Sequence, residues 1–218
     1  MSYQIAIDGP AGAGKSTIAK KVAKTKGFIY VDTGAMYRAM AYYLLTQGID
    51  PENAEAIEAK CANADITRCD ESEEQVVLLN GENVNGVIRN EEVGNMASSS
   101  SKHPKVRERL TVLQKELAAK NNVVMDGRDI GTCVLPNADV KVYLTASAQV
   151  RAKRRYDELS AKGIPCDIEQ IEMDIIKRDE QDMNREIAPL KQAEDAVLVD
   201  SSDMTIDEVV QAILDLCR

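Results

Sequence analysis

Residues 9–16 read Gly9-Pro10-Ala11-Gly12-Ala13-Gly14-Lys15-Ser16, after an apolar run that includes Ile5 and Ile7 and before a helix-compatible stretch from Thr17. This order predicts a strand, a phosphate-binding loop and a helix, because glycines let successive backbone N–H groups turn toward phosphate oxygens. The helix adds the positive end of its dipole. Lys15 would place a point charge on the outer phosphates, and the Ser16 hydroxyl would bind the Mg²⁺ of a nucleoside triphosphate. The alternative is a glycine-rich turn that carries a lysine by chance.

Composition limits the class of protein. The chain has 218 residues and 44% hydrophobic content, enough for one compact α/β domain with an insertion. Its net charge of −9 argues against a nucleic-acid polymer as partner, although small phosphorylated ligands stay possible. The N-terminus does not resemble a signal peptide, and no apolar run approaches the ~20 residues of a membrane span. We therefore expect a cytoplasmic monomer that does not bind membranes.

Cysteine usage gives no sign of a disulfide framework. The five cysteines are an odd number without close pairing, and His103 is the only histidine. This pattern favours reduced, mostly buried thiols over a zinc site or disulfides.

Short apolar runs alternate with helical patterns along the chain. Strands are predicted at 28–31, 123–125, 139–144 and 196–199, in addition to the run before the loop. Five such strands separated by helices predict a parallel sheet covered by helices on both faces. The interval between the second and third strands is longer than a crossover needs. Within it, Asn80-Gly81 follows a β-rich run from Gln75, so we expect a small antiparallel insert over 62–89.

Charged residues follow two predicted strands, at the sheet edge where α/β folds bind ligands. Asp32-Thr33-Gly34 ends the second strand, and Asp126-Gly127-Arg128-Asp129 ends the third. Arg38 lies off the apolar stripe of the intervening helix and can face a ligand, unless it is an ordinary solvated arginine. The serine run Ser98 to Ser101 can be read as a low-complexity linker.

Two charged helices precede the last strand. The first, 148–161, carries Arg151, Arg154 and Arg155; the second carries Arg178, Asp182 and Arg185, and Gly163-Ile164-Pro165 separates them. Each trio occupies one helix face, which usually indicates a solvated, salt-bridged surface. The alternative is a mobile lid that closes over phosphates.

The residues favour transfer to a small acceptor over other uses of a triphosphate. No Asn-Lys-x-Asp guanine-reading motif occurs, and Asp126 is followed by Gly127 rather than by a glutamate that would activate water. Arginines spread over several segments suit the clamping of two sets of phosphates.

Four motifs together resemble the bacterial-type cytidylate kinases, which belong to the nucleoside monophosphate kinases. They are the loop at 9–16, Asp32-Thr33-Gly34-Ala35-Met36-Tyr37-Arg38, Asp126-Gly127-Arg128-Asp129-Ile130-Gly131, and the run from Arg178 to Arg185. The resemblance covers the whole chain. It implies transfer from ATP to CMP or dCMP with Mg²⁺, on a core (1–50, 90–147 and 190–218), a nucleotide-binding insert (51–89) and a lid (148–189).

The resemblance also implies roles for individual residues. The catalytic set is Lys15, Arg128, Asp182 and Arg185. The set that binds ATP is Gly9, Pro10, Ala11, Gly12, Ala13, Gly14, Lys15, Ser16, Thr17 and Arg154, with Ser16 as the metal ligand. The set that binds the monophosphate is Thr33, Arg38, Ser98, Arg107, Arg128, Asp129, Arg178, Asp182 and Arg185. Thr33 stands where the family often has serine, so the hydroxyl is kept. A carboxylate at Asp129 can accept from the exocyclic amine of cytosine, which uracil lacks, and Ser and Arg can address the remaining polar edge.

Two alternatives stay open at this point. Another small-molecule phosphate-loop kinase, for adenylate or shikimate, would share the loop and the lid. An ATP-binding regulatory module without turnover would keep the loop but would have no use for a second set of arginines.

Overall fold

The structure is a computed structural model that describes residues 2–69 and 76–217. The chain divides into two compact units, one formed by Val31–Asn121 and the other by Ser2–Tyr30 with Asn122–Arg218.

The elements follow one another along the chain with short connections. The strands are β1 (Gln4–Asp8), β2 (Ile29–Asp32), β3 (Ile66–Cys69), β4 (Val76–Leu79), β5 (Glu82–Asn83), β6 (Val123–Gly127), β7 (Val140–Thr145) and β8 (Val197–Asp200). The helices are α1 (Lys15–Lys26), α2 (Thr33–Thr46), α3 (Ala54–Cys61), α4 (Glu91–Ser100), α5 (Pro104–Lys120), α6 (Ala148–Ala161), α7 (Ile168–Asn184) and α8 (Ile206–Leu216).

The predicted five-stranded parallel sheet is confirmed, with the order β2-β6-β1-β7-β8. In the register, Ile5 of β1 lies between Val124 of β6 and Val140 of β7. All three side chains are buried and belong to the core of this unit, together with apolar residues of α1 and α8. The central position of β1 places its carboxyl end, where the loop at 9–16 begins, between β6 and β7.

Capping residues explain where α1 ends and where α8 begins. Gly27 ends α1 in the left-handed conformation, with φ 66°, as a glycine after a helix usually does. Thr205 and Glu208 form a capping box at the start of α8, in which each side chain bonds the backbone N–H of the other residue. Val209, Val210 and Ile213 recur at helical spacing and are buried, so α8 is held by an amphipathic face.

The Val31–Asn121 unit contains the predicted antiparallel insert. β3 pairs with β4 and β4 with β5, and the turn Asn80-Gly81 has positive φ at both residues, as a tight hairpin requires. The return strand is shorter than the sequence suggested, because β5 covers only Glu82–Asn83 before the chain turns toward α4. The sequence predicts that the β-rich run begins at Gln75, and this residue lies outside the described part of the chain. In the same unit α2 packs against α4 and α3 packs against α5.

Several sequence expectations need correction. Ser98, Ser99 and Ser100 belong to α4, so the interpretation of this run as a linker is wrong; Asn90 caps that helix by accepting from Val93 N at 2.8 Å. α1 begins at Lys15 rather than Thr17, and Arg185 follows α7 as its C-cap instead of lying within it. A π-helical turn at Ile130–Val134 was not predicted.

The cysteines are less buried than expected. Of the four cysteines whose side chains are described, only Cys61 is buried; Cys133 is exposed, and Cys166 and Cys217 are half-buried. Within residues 2–69 and 76–217, the helices are all too short or too polar to cross a membrane.

Candidate active site

The loop at 9–16 connects β1 to α1 by a backbone path that depends on glycine. A Cβ added to Gly9, where φ is +149°, would lie 1.9 Å from the carbonyl oxygen of Leu144 in β7. Gly12 and Gly14 also have positive φ, of 76° and 85°. The loop can therefore pass tightly over the carboxyl end of the sheet and deliver its N–H groups to the start of α1, where anions bind.

Lys15 is buried in this loop, and its Nζ donates a hydrogen bond to the Pro10 carbonyl oxygen at 2.7 Å. Burial, followed by the positive charge of Arg128, lowers the pKa of Lys15 to about 7. The lowered pKa shows that the nearby carboxylates do not fully compensate the positive charge of the Lys15 ammonium. Such a cation is suited to pair with phosphate oxygens.

Asp126, at the carboxyl end of β6, has both oxygens engaged. Oδ2 accepts from the Ser16 hydroxyl at 2.9 Å, and Oδ1 accepts from the Tyr30 hydroxyl at 2.8 Å. A hydroxyl and a carboxylate in contact are ligands suited to Mg²⁺, which binds through one or two protein oxygens plus water and phosphate. No group of three or more His, Cys, Asp or Glu side chains that could hold a metal ion occurs in the described part of the chain. The Ser16 hydroxyl and the Asp126 carboxylate fit a Mg²⁺ that takes its other ligands from water and phosphate.

Asp8 is a buried carboxylate that the sequence analysis did not single out. Its Oδ1 accepts from Ile130 N at 2.8 Å and its Oδ2 accepts from Gly131 N at 2.7 Å. Burial, only partly offset by these two bonds, raises the pKa of Asp8 to about 6. Asp8 thus joins the end of β1 to the π-helical turn that follows Arg128 and Asp129. Its only sequence signal was a carboxylate at the end of an apolar strand.

The residues that directly follow β6 and the end of α7 with its C-cap form a charged cluster, here called the arginine–aspartate cluster: Arg128, Asp129, Asp182 and Arg185. Arg128 Nε donates to Asp182 Oδ2 at 2.8 Å, and Arg185 Nη2 lies 3.5 Å from Asp129 Oδ1. Arg185 Nη1 is also 3.8 Å from Asp182 Oδ1. The structure therefore brings together four predicted site residues that are distant in sequence. Arg178, also predicted, lies on α7 and is exposed.

All three arginines predicted on one face of α6 have protein partners, and Arg155 pairs with Glu158 at 2.8 Å. Arg154, predicted to bind ATP, donates to the Ser201 carbonyl oxygen at 2.7 Å and lies 3.3 Å from its hydroxyl. Arg151 is buried and bonded to three groups. The interpretation of this face as a solvated surface is therefore wrong for Arg151.

The remaining predicted residues lie in the Val31–Asn121 unit. Arg107 is buried, with its guanidinium carbon 5.4 Å from the centre of the Tyr37 ring and its Nη1 3.3 Å from the Ser101 carbonyl oxygen. Arg38, the neighbour of Tyr37, is half-buried; its Nη1 donates to the Ile88 carbonyl oxygen at 3.4 Å. The backbone of Gly94 in α4 comes close to the Arg38 guanidinium, because a Cβ there would lie 3.2 Å from Nη1.

The other two predicted residues are on α2 and α4. Thr33 is buried at the start of α2, behind the capping carboxylate of Asp32, which accepts from Ala35 N at 2.9 Å. Ser98 is half-buried, and its carbonyl oxygen accepts from the Ser101 hydroxyl at 2.9 Å. Four predicted substrate-binding residues of this unit thus belong to α2, α4 and α5.

The parallel sheet, the glycine loop with its buried lysine and the arginine–aspartate cluster define a phosphate-loop kinase. Solved structures agree in fold. A shikimate kinase from Bacteroides thetaiotaomicron is 14% identical, with a TM-score of 0.50 over 98% of this chain and 97% of that chain. A protein from Eubacterium ventriosum, also 14% identical, has a TM-score of 0.52 over 99% of this chain and 97% of that chain.

Sequence comparisons narrow the class to one family. The Cytidylate kinase family model matches residues 5–218. A cytidylate kinase from Shouchella clausii is 51% identical over 99% of this chain and 96% of its own length. Another, from an Exiguobacterium species, is 52% identical over 97% of this chain and 95% of its own length. The chain belongs to the cytidylate kinase family, which confirms the resemblance seen in the sequence.

Proposed function

We propose that this chain transfers the γ-phosphoryl group of ATP to CMP or dCMP. An oxygen of the monophosphate attacks the γ-phosphorus, the bond to the β-phosphate oxygen breaks, and ADP leaves with CDP or dCDP as the second product. The observation that carries this proposal is that one unit combines the glycine loop and Lys15 with the arginine–aspartate cluster. A triphosphate site and a second set of arginines are what transfer between two phosphorylated substrates requires.

ATP would bind through residues Gly9 to Thr17 and Arg154. The loop N–H groups and α1 would hold the phosphates, and Lys15 would neutralise charge that moves toward the leaving oxygen. Mg²⁺, held by Ser16 with Asp126 beside it, would neutralise the phosphate oxygens of ATP when bound.

The phosphate of CMP would bind to Arg38 and Arg128. The contact between Arg128 Nε and Asp182 fixes the orientation of the Arg128 guanidinium fork. Arg178, Asp182 and Arg185 would surround the sugar and the phosphates, where Arg185 can stabilise the group in transfer.

Asp129, Arg107 and Ser98 would read the base, and Thr33 would also bind the monophosphate. Asp129 is buried, and its Oδ1 lies 3.5 Å from Arg185 Nη2, at the long end of the range for a hydrogen bond. A buried carboxylate acceptor is suited to the exocyclic amine of cytosine. UMP offers no amine to this carboxylate, so the complex with UMP would lack the hydrogen bond that CMP makes there.

We propose in addition that the protein acts as a cytoplasmic monomer on free mononucleotides, without binding nucleic-acid polymers or membranes. The net charge of −9 argues against binding to nucleic-acid polymers, because a polymer of phosphates would be repelled. Residues 148–189 would act as a lid, 51–89 as the nucleotide-binding insert, and the remainder as the core.

Product analysis tests the proposed function. Purified protein is mixed with ATP, Mg²⁺ and CMP, and the nucleotides are separated by anion-exchange chromatography. We expect ADP and CDP in equal amounts, and no CDP without ATP. Lys15→Ala is the control; it should keep its fold by thermal melt and lose turnover by several orders of magnitude. ADP without CDP would contradict the proposal in favour of hydrolysis, and no ADP at all would favour a regulatory ATP-binding module.

A further inference from the structure

Arg151 is a buried cation whose hydrogen bonds reach three separate segments. Its side chain lies in the first turn of α6, and the residue is only 5% exposed. Nε donates to the Ala146 carbonyl oxygen at 2.9 Å, Nη1 to the Ala11 carbonyl oxygen at 2.8 Å, and Nη2 to Asp179 Oδ2 at 2.6 Å. Placing a guanidinium in the interior costs several kcal/mol unless its donors are matched, so this arrangement is specific to arginine at this position.

The contact with Ala11 controls one peptide unit of the glycine loop. In a trans peptide the C=O and the following N–H point in opposite directions, and the described chain has no cis peptide bonds. Because Arg151 holds the Ala11 carbonyl, the Gly12 N–H is directed away from Arg151. Gly12 lies against the same side chain, since a Cβ there would be in van der Waals contact with the Arg151 Cβ at 3.4 Å. A carbonyl free to rotate would instead present its negative end to phosphate oxygens.

The contact with Asp179 connects the same guanidinium to α7. Asp179 is buried, and its Oδ1 has no hydrogen-bond partner among the described residues, so the ion pair of its Oδ2 with Arg151 holds this carboxylate in place. Asp179 lies between Arg178 and Asp182, one turn from the residue that holds Arg128. A shift of Asp179 along α7 would therefore move Asp182 and, with it, the Arg128 guanidinium.

We propose that Arg151 is a positioning residue that sets the ATP loop through Ala11 and the acceptor-side helix α7 through Asp179. This rests on the proposed function, because α7 carries groups assigned there to CMP. Arg151 touches neither substrate in this account. Its guanidinium group holds the Ala11 peptide of the loop and, through Asp179, helix α7.

Three variants test the contact of Arg151 with the loop separately from its contact with α7. Arg151→Lys keeps a positive charge but replaces the planar fork, Asp179→Asn keeps the shape but weakens the ion pair, and Lys153→Met on the exposed side of α6 is the matched control. Calorimetry gives the Kd of a non-hydrolysable ATP analogue with Mg²⁺, steady-state kinetics gives KM for CMP, and a thermal melt reports the fold.

We expect Arg151→Lys to raise the Kd of the ATP analogue by roughly ten- to a hundredfold, as for loss of a hydrogen bond to a charged group, and to raise KM for CMP as well. Asp179→Asn should raise KM for CMP and leave the Kd of the analogue within about twofold of wild type. Lys153→Met should match wild type in both quantities.

If a folded Arg151→Lys protein binds the analogue with wild-type affinity, Arg151 does not position the ATP loop. If Asp179→Asn leaves KM for CMP unchanged, the ion pair does not position α7. If Arg151→Lys does not fold, Asp179→Asn decides alone: a selective rise in KM for CMP supports the proposal, and equal changes for both nucleotides contradict it. The measurement with the ATP analogue needs no acceptor. A failure of the proposed function would appear as no CDP from the wild-type protein, and it can therefore be distinguished from a failure of this inference.

Discussion

Raising the pH from about 6 to about 9 should weaken ATP binding through one group, Lys15. Its pKa is lowered to about 7, mainly by burial and next by Arg128, so at about pH 8 roughly nine-tenths of the protein carries a neutral amine at this position. The phosphates of ATP bring negative charge to the amine and restore its proton. Each pH unit above 7 then costs about 1.4 kcal/mol of binding free energy, a tenfold increase in Kd per unit.

Isothermal calorimetry at several pH values tests this directly. Titrations of the MgATP analogue in two buffers of different ionisation enthalpy give the number of protons taken up. We expect about 0.9 proton at about pH 8 and about 0.1 at about pH 6. Lys15→Arg is the control, because a guanidinium does not titrate in this range and should take up none at this position. Wild-type uptake near zero at about pH 8, with a Kd independent of pH, refutes the assignment of a low pKa to Lys15.

The remaining predictions concern Asp8, the base-reading residues and the lid. The pKa of Asp8 is raised, so the folded state binds this proton more tightly than the unfolded state does. The resulting stabilisation of the folded state is fully present below pH 3.8 and is lost as the pH rises through about 6. The loss amounts to roughly 3 kcal/mol. Asp8→Asn cannot titrate, so its Tm deficit relative to wild type should shrink over that interval, and a constant deficit would show that Asp8 does not titrate as described. Asp129→Ala should lower kcat/KM for CMP much more than for UMP, whereas Arg38→Ala should lower both alike; equal losses in Asp129→Ala would exclude a base-reading role. Limited proteolysis within residues 151–185 should slow when an ATP analogue and CMP are added together, and an unchanged cleavage rate would argue against a lid.

The parts of the fold that local chemistry determines were predictable from the sequence. The glycine loop was recognisable because its spacing, its lysine and the flanking apolar run are contiguous, and the Asn80-Gly81 hairpin because that dipeptide readily adopts positive φ. The serines at 98–100 misled because composition suggested a linker, while an asparagine cap and the packing of α4 against α2 form a helix.

Contacts between distant segments were not predictable. The hydroxyl of Tyr30 bonds a carboxylate 96 positions away, and Asp8 holds N–H groups more than a hundred residues along the chain. Periodicity correctly placed Arg151 on a charged face of α6, but it could not show that tertiary contacts bury that position. Candidate site residues were therefore accessible to motif reasoning, whereas the groups that hold them in place required the three-dimensional arrangement.

The most direct test of the central claim is the initial rate of ADP formation from MgATP with CMP, dCMP, UMP, AMP or no acceptor, measured side by side. The buried Asp129 predicts that CMP and dCMP are the preferred acceptors, with kcat/KM at least roughly ten- to a hundredfold above that for UMP. AMP and the reaction without acceptor should stay at background. Equal rates with every acceptor, a preference for AMP, or rapid ADP release without any acceptor would contradict the account.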